Sequence, residues 1–261
     1  MASLYYQVPQ FSLRFIPVWQ RNFLVWRKLA FTSVVGNIAE PLITLVAFGY
    51  GLGSLLQHID GVPYIAYLAS GAICMSVMMA TTFEALYSAF SRMHVQKTWD
   101  ALLNTPLDLD DIVLAEMLWA ASKSLISGIA ILAVLLALGI GWYPGALLVP
   151  PLLFLVGITF ASLALVINAL AKGYDFFTYY FTLVLTPMIF LSGVYYPVTQ
   201  LPGWLQMVAA YLPLSAAVHL VRPLLLGQMP EQVLQPLLLL LAYCVTGFYL
   251  ATVLTRRRLL K

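Results

Sequence analysis

Residues 112–140 read IVLAEMLWAASKSLISGIAILAVLLALGI and contain only two charged side chains, Glu116 and Lys123. A helix of this length exceeds the roughly 20 residues needed to cross a hydrocarbon core about 30 Å thick. The whole chain has a similar composition, since 62% of its 261 residues are hydrophobic and 9% are charged. A soluble domain carries about 25% charged residues. The sequence therefore predicts an integral membrane protein.

Comparable apolar stretches recur along the chain and predict one all-α membrane domain with six spans over residues 1–261. The predicted spans lie at residues 31–52, 62–90, 112–140, 146–171, 176–191 and 233–254. Between the last two, residues 192–231 are apolar but interrupted by prolines and glycines, and they predict two short helices that enter the bilayer and return. Such a re-entrant pair requires protein or water around its freed backbone groups.

The segment before the first span, residues 9–29, predicts an amphipathic helix in the plane of the membrane interface. Its basic residues recur every seven positions on one face, and its aromatic residues lie on another. These residues are Arg14, Arg21 and Lys28 on the basic face and Trp19, Phe23 and Trp26 on the aromatic face. Such a helix suits the boundary between headgroups and acyl chains. A plain basic flank before the first span is the alternative.

The longest polar region separates the second and third spans. Thr98 can cap a short helix there, and Pro106 ends it. Asp108 can cap the third span, with Asp110 and Asp111 in the first turn, where the helix dipole favours negative charge. We therefore expect a short, well-defined helix in this connection.

Lysine and arginine are distributed unequally across the predicted topology. With six spans, both termini lie on the same side as the long polar region. The basic residues on that side are Arg14, Arg21, Arg27, Lys28, Arg92, Lys97, Lys172, Arg256, Arg257, Arg258 and Lys261. Arg222 alone lies on the other side. Because positive charge accumulates in cytoplasmic loops, we expect both termini in the cytoplasm.

Four charged residues, Glu40, Glu84, Glu116 and Lys123, lie within or near predicted spans. A charge near the bilayer centre costs a few kcal/mol, so these side chains should be paired or face a water-filled cavity. We expect Lys123 to pair with Glu40 or Glu84. A hydrophilic substrate path is one alternative. A proton relay is another, in which Glu40, Glu84 and Lys123 would serve an ion- or proton-coupled secondary transporter.

Motifs for nucleotide binding and hydrolysis are absent from the sequence. There is no GxxxxGK[ST], GxSxG, HExxH or CxxC. His58, His94 and His219 are on separate segments, and Cys74 and Cys244 lie in apolar stretches, so no metal site or disulfide is expected. We expect a transporter subunit without a cofactor of its own; a membrane-embedded enzyme would need convergent acidic groups.

Three runs near the predicted outer surface carry a family resemblance. They are FLSGVYYP at residues 190–197, LPGWL at 201–205 and LPL at 212–214, followed by Arg222. With the interface helix, the six spans and the re-entrant pair, they resemble the ABC-2-type permeases over essentially the whole chain. TFEALYSAF at residues 82–90 and TWDALLNTPL at 98–107 are similar to the nodulation protein J group of lipo-oligosaccharide exporter permeases and its relatives in drug efflux.

This resemblance implies an exporter permease of the bacterial cytoplasmic (inner) membrane whose ATPase is a separate chain that binds ATP and Mg²⁺. It also implies a permease homodimer with two ATPase copies and no role for nucleic acid. The substrate would be amphipathic: a lipo-oligosaccharide, a glycolipid or a hydrophobic drug.

By the same resemblance, residues 98–105 would be the coupling helix that docks in a groove of the ATPase. Its residues are Thr98, Trp99, Asp100, Ala101, Leu102, Leu103, Asn104 and Thr105. Exposed Trp99, Leu102 and Leu103 would suit a rigid docking element, because aromatic anchors dominate interface energetics. An ordinary connecting turn on the membrane surface is the alternative.

The outer re-entrant motif carried by the resemblance comprises Ser192, Gly193, Tyr195, Tyr196, Pro197, Leu201, Pro202, Trp204, Pro213 and Arg222. Tyr195, Tyr196, Trp204 and Tyr211 can line or cover an outer exit, since aromatic rings stack on sugars. Alternatively, these rings lie at headgroup depth, where aromatic residues are enriched.

Overall fold

Apolar stretches of this length fold as helices in a membrane because a helix satisfies its backbone hydrogen bonds internally. The computed structural model describes residues 6–10, 12–56, 58–59 and 61–259. Its helices are α1 (Phe15–Arg27), α2 (Ala30–Gly51), α3 (Tyr64–Phe83), α4 (Thr98–Leu103), α5 (Leu109–Ala137), α6 (Val149–Leu170), α7 (Asp175–Leu191), α8 (Gly203–Ala210), α9 (Pro213–Leu225) and α10 (Leu234–Leu259). Strands β1 (His58–Ile59) and β2 (Val62–Pro63) pair antiparallel before α3.

Five of these helices are long and apolar enough to cross a membrane: α2, α3 with its continuation to Val95, α5, α6 with the preceding turn from Pro144, and α10. The predicted fifth span is α7, at the lower limit of spanning length. The all-α membrane fold is confirmed. The largest boundary differences are at the ends of α3 and α10, which continue to Val95 and Leu259 rather than 90 and 254.

The continuation of α3 consists of two π-helical turns, Glu84–Ser88 and Ser91–Val95. Each π turn carries an extra residue, which rotates the following side chains by about 100° relative to an uninterrupted α-helix. This rotation decides which side chains beyond Phe83 face the bundle. A further π turn, Phe181–Leu185, lies in α7.

The segment between α7 and α10 forms the predicted pair of short helices. Pro202 immediately precedes α8 and Pro213 is the first residue of α9, where proline's missing N–H costs nothing. The axes of α8 and α9 meet at 83°, consistent with a broken span or a re-entrant loop. One face of α9, including Leu214, Ala217 and Val221, is buried against α3, α6 and α10.

Helix α1 is shorter than the predicted 9–29, a range that includes residue 11, outside the described residues. Its aromatic face packs on α5. The rings of Trp19, Phe23 and Trp26 surround Trp119 at centroid distances of 6.4, 6.3 and 5.8 Å. Trp19 Nε1 also donates to Ser122 Oγ at 3.2 Å. The aromatic residues therefore hold α1 against the bundle.

The basic segments converge at one end of the bundle. Arg14 donates to the carbonyl of Pro106 at 3.0 Å, and Arg256 at the end of α10 pairs with Asp110 at the start of α5. The start of α1, the polar region and the end of α10 thus share one side, as the six-span topology predicted. Lys261 lies outside the described residues.

Candidate functional site

A buried network of charged side chains joins α3 and α5 at the basic end of the bundle. Lys123 Nζ lies 2.7 Å from Glu84 Oε2, and Arg92 Nη2 lies 3.0 Å from Glu84 Oε1. Arg92 also binds Glu116 through two hydrogen bonds, from Nε to Oε1 at 2.9 Å and from Nη2 to Oε2 at 2.5 Å. Two carboxylates and two cations thus neutralise one another, which is the condition for burying charge.

Two tryptophans also belong to this network. Trp119 Nε1 donates to Glu84 Oε1 at 2.9 Å, and Trp99 Nε1 donates to Glu116 Oε1 at 3.3 Å. Both carboxylate residues are buried, with 3% of Glu84 and 1% of Glu116 exposed. Because Trp99 belongs to α4, the network reaches from the spans into the connecting helix.

Lys123 has one of its two predicted partners, Glu84. Glu40 lies at the middle of α2 and is exposed, and among the described residues it has no hydrogen bond or ion pair. The structure therefore does not assemble the three residues of the alternative proton relay. Sequence reasoning missed Arg92, which it placed only among the basic residues of the inner side.

A periodicity in the sequence could have revealed which residues of α5 belong to the network. Glu116, Trp119 and Lys123 follow at i, i+3 and i+7, so they share one face of α5. Glu84 and Arg92 are eight residues apart, about 80° around a regular α-helix, and the π turn at Glu84–Ser88 brings them onto one face. No local signal indicated that these two faces meet.

The expected exposure of Trp99 on α4 is wrong. Only 1% of Trp99 is exposed, because its ring packs in the core while its N–H binds Glu116. Leu102 and Leu103 are half-buried against the same core. The exposed face of α4 and its end consists of Asp100, Ala101, Asn104 and Thr105.

The predicted cap by Thr98 is also wrong. Lys97, with φ of 49°, precedes the helix, and Thr98 is its first helical residue. The Thr98 hydroxyl instead accepts a hydrogen bond from Arg21 Nη2 of α1 at 3.4 Å. Helix α4 therefore gains a link to the interface helix.

The acidic start of α5 ties together both ends of the chain. Asp108 and Asp111 form a reciprocal capping box, as predicted for Asp108. Asp111 also accepts a hydrogen bond from Ser12 Oγ at 2.7 Å. Asp110 is buried and pairs with Arg256, a long-range contact that sequence reasoning missed.

At the opposite end, Arg222 of α9 fixes the outer motif. Its Nε donates to Ser70 Oγ at 3.0 Å, its Nη2 donates to the Gly193 carbonyl at 2.7 Å, and its guanidinium lies 3.7 Å from the centroid of the Tyr67 ring. Gly193 has φ of 73°, a conformation that suits glycine. A Cβ at Gly71 would lie 2.9 Å from Arg222 Nη2, so the guanidinium needs the bare backbone there.

Beside this contact, a cavity of about 370 Å³ lies between α8, α9 and the start of α10. Its polar lining includes Ser192, Gln206, Ser215, His219, Gln232 and Gln235. The hydroxyls of Ser192 and Ser215 are buried without a hydrogen-bond partner among the described residues. Gln206 donates to the Thr199 and Leu201 carbonyls at 3.0 and 2.8 Å, which anchors the turn leading into α8.

The four outer aromatic residues do not line that cavity in the described part of the chain. Tyr195 packs between Phe48 and Phe190, with ring centroids 5.5 and 5.7 Å away. Trp204 and Tyr211 are 64% and 66% exposed. Tyr196 is half-buried and immediately precedes Pro197, where the turn into α8 begins.

The chain is similar in sequence to a known transporter family and to several bacterial proteins. Residues 14–226 match the family model described as ABC-2 type transporter. Nodulation protein J of Rhizobium leguminosarum bv. trifolii is 47% identical over 254 residues, which cover 97% of each chain. Nodulation protein J of Bradyrhizobium diazoefficiens is 43% identical over 254 residues, again 97% of each chain. The inner membrane transport permease YadH of Escherichia coli is 24% identical over 189 residues, 72% of this chain and 73% of that permease.

Proposed function

Because this chain belongs to the ABC-2 type transporter family and is the permease subunit of an ABC exporter, we propose that α4 receives the mechanical work of its ATPase partner. The family membership confirms the resemblance that the motifs predicted. In this proposal, the partner binds ATP and Mg²⁺. The present chain forms the path by which the substrate crosses the membrane. The observation that carries the proposal is the buried hydrogen bond from Trp99 to Glu116.

The coupling step follows from how α4 is attached. A helix of six residues has little intrinsic stability, so its position depends on tertiary contacts. Trp99 binds it to α5 through Glu116, and Glu116 shares Arg92 with Glu84 of α3. A displacement of α4 by the ATPase is therefore passed to both spans, while Asp100 and Ala101 remain free to face the partner.

In the membrane, this end of the bundle is the cytoplasmic end of a bacterial inner-membrane protein. The proposal is supported by the concentration of basic residues there, since cytoplasmic segments carry the excess of lysine and arginine. Both termini then lie in the cytoplasm, and Arg222 and the outer cavity face the opposite side.

The permease functions as a homodimer, with α2 at the contact between copies and one ATPase bound to each copy. Helix α2 is the least buried of the five long helices in the described structure. Only 11% of its most apolar stretch is buried. It also exposes Glu40 at mid-span. A carboxylate at that depth is costly when it faces lipid, so a second protein surface over α2 supports this arrangement.

The transported substrate is amphipathic: a lipo-oligosaccharide, a glycolipid or a hydrophobic drug. The outer cavity supports this class because amide, imidazole and hydroxyl groups line it beside apolar Val218 and Leu239. Such a lining suits a ligand that combines hydroxyl-rich and apolar parts. The cavity thus offers a place for the polar part as the substrate leaves on the outer side.

The docking role of α4 is tested with Ala101→Glu, which adds a charged side chain to its exposed face. Co-purification with the ATPase and vanadate-sensitive ATP hydrolysis should both fall at least about tenfold, because an unpaired charge at an interface core costs more than 1.4 kcal/mol. Light scattering of the unmodified complex should give the mass of two permeases and two ATPases.

The matched control is Gln228→Glu, which places the same group in an exposed turn at the opposite end of the bundle. Assembly and hydrolysis should be unchanged in this variant. Normal assembly of the Ala101→Glu permease with the ATPase would remove the docking assignment, and a mass with a single permease would remove the homodimer.

A further inference from the structure

A second cavity, of about 210 Å³, opens between the interface helix α1, the continuation of α3 and the middle of α5. Arg21, Asn22 and Trp26 of α1 form one wall, and Arg92 and Lys123 lie in the other. The cavity therefore borders the charged network but has its own lining from α1.

Two hydrogen-bond donors in this cavity lack acceptors among the described residues. Asn22 Nδ2 and Trp26 Nε1 are both buried and unpartnered, and Asn22 is only 3% exposed. The orientation of Asn22 is set because its Oδ1 accepts a hydrogen bond from Arg21 Nη1 at 3.2 Å. Buried donors are almost always satisfied in proteins, so a ligand that supplies acceptors is indicated.

The charges around the cavity also favour a ligand with acceptors, because they are unbalanced toward positive charge. Three cations, Arg21, Arg92 and Lys123, line it, whereas Glu84 lines it and Glu116 lies behind Arg92. One positive charge is therefore left over. Burial, and then repulsion by Arg92, lower the pKa of Arg21 from its usual value, and a negative ligand would counteract both effects by stabilising the guanidinium cation.

We propose that this cavity binds a phosphate group, held by Arg21, Asn22 and Trp26. A phosphate diester offers only acceptors and one negative charge, which matches two unsatisfied donors and one surplus cation. The group can come from a phospholipid headgroup or from a free phosphate. A lipid is favoured because Val25 and Leu29, which also line the cavity, are 59% and 66% exposed and present apolar surface for a glycerol and acyl chain.

A phosphate bound here would influence coupling. It would share Arg92 and Lys123 with the carboxylates that hold Trp99 and Trp119. Its occupancy would therefore link α1 to α3 and α5 next to α4.

The test is native mass spectrometry of the purified full-length permease, titrated with phosphatidylglycerol or with phosphatidylcholine. The permease should retain phosphatidylglycerol preferentially, because its phosphate charge is not offset by a choline.

Arg21→Gln should weaken this retention at least about tenfold, the loss expected for a charge-assisted hydrogen bond. Trp26→Phe keeps the ring and all charges but removes one donor, and it should weaken retention by a smaller factor.

Arg27→Gln is the matched control, since it removes the same charge from an exposed position of α1 outside the cavity. Equal retention by Arg21→Gln and Arg27→Gln, together with unchanged retention by Trp26→Phe, would overturn the proposal. Displacement of the lipid by inorganic phosphate, with the same sensitivity to Arg21→Gln, would support the phosphate site and assign it to a free anion. The measurement needs no ATPase, so its outcome is independent of docking at α4.

Discussion

The two ends of the bundle each hold a half-buried arginine, but in different surroundings. Arg92 lies between the carboxylates of Glu84 and Glu116. Glu84 is at the end of α3, and Glu116 is in α5. The contacts described for Arg222 are to a hydroxyl, backbone carbonyls and an aromatic ring. The Arg92 contact joins the end of α3 to α5 through ion pairs, whereas the Arg222 contact joins α9 and α3 to the turn at Gly193, whose backbone has φ of 73°. This difference suits transmission at one end and a fixed frame at the other.

Removal of Arg92 should have the largest effect, because it leaves Glu116 and Glu84 buried with insufficient compensation. Arg92→Leu should lower the free energy of unfolding by about 3–5 kcal/mol. Thermal unfolding in detergent, followed by size-exclusion chromatography, measures the loss. Lys172→Leu, which removes an exposed cation at the same end, should be close to neutral. Addition of Glu116→Gln to Arg92→Leu should recover part of the loss; the absence of any recovery would contradict the charge argument.

Arg222→Leu should have a smaller effect, since the described groups that it leaves behind, the Ser70 hydroxyl and the Gly193 carbonyl, are neutral. Loss of its hydrogen bonds to Ser70 and Gly193 should cost about 1–3 kcal/mol in the same measurement. The order of the two variants is the decisive result. A larger loss for Arg222→Leu than for Arg92→Leu would show that the distinction between the ionic contact of Arg92 and the neutral contact of Arg222 is wrong.

The smallest effect is expected for Ser192→Ala, beside the outer contact. Its hydroxyl is buried without a partner in the described structure, so its removal should change stability by less than about 1 kcal/mol, in the stabilising direction. Ser70→Ala is the matched control, because that hydroxyl accepts from Arg222 and donates to the Tyr67 carbonyl. Ser70→Ala should be destabilising; equal effects of the two variants would indicate that the Arg222 contact contributes nothing.

Several features of the functional regions could be predicted from neighbouring residues alone. The short helix α4, the Asp108 cap and the broken pair α8 and α9 all depend on residues within a few positions of one another. The burial of Trp99 could not be predicted this way. An aromatic residue in a short polar connection has the same local signature whether it faces a partner or its own core.

The sequence by itself determined that this chain is helical, spans a membrane and carries its basic residues at one end, because hydropathy and charge distribution are properties of composition and order. Only the tertiary structure decided that Lys123 pairs with Glu84 rather than Glu40, that Arg92 bridges two carboxylates and that Asn22 and Trp26 border a cavity. These outcomes depend on which helices are neighbours and on how the π turns rotate the end of α3. Helix adjacency arises from packing between distant segments, which no local pattern encodes.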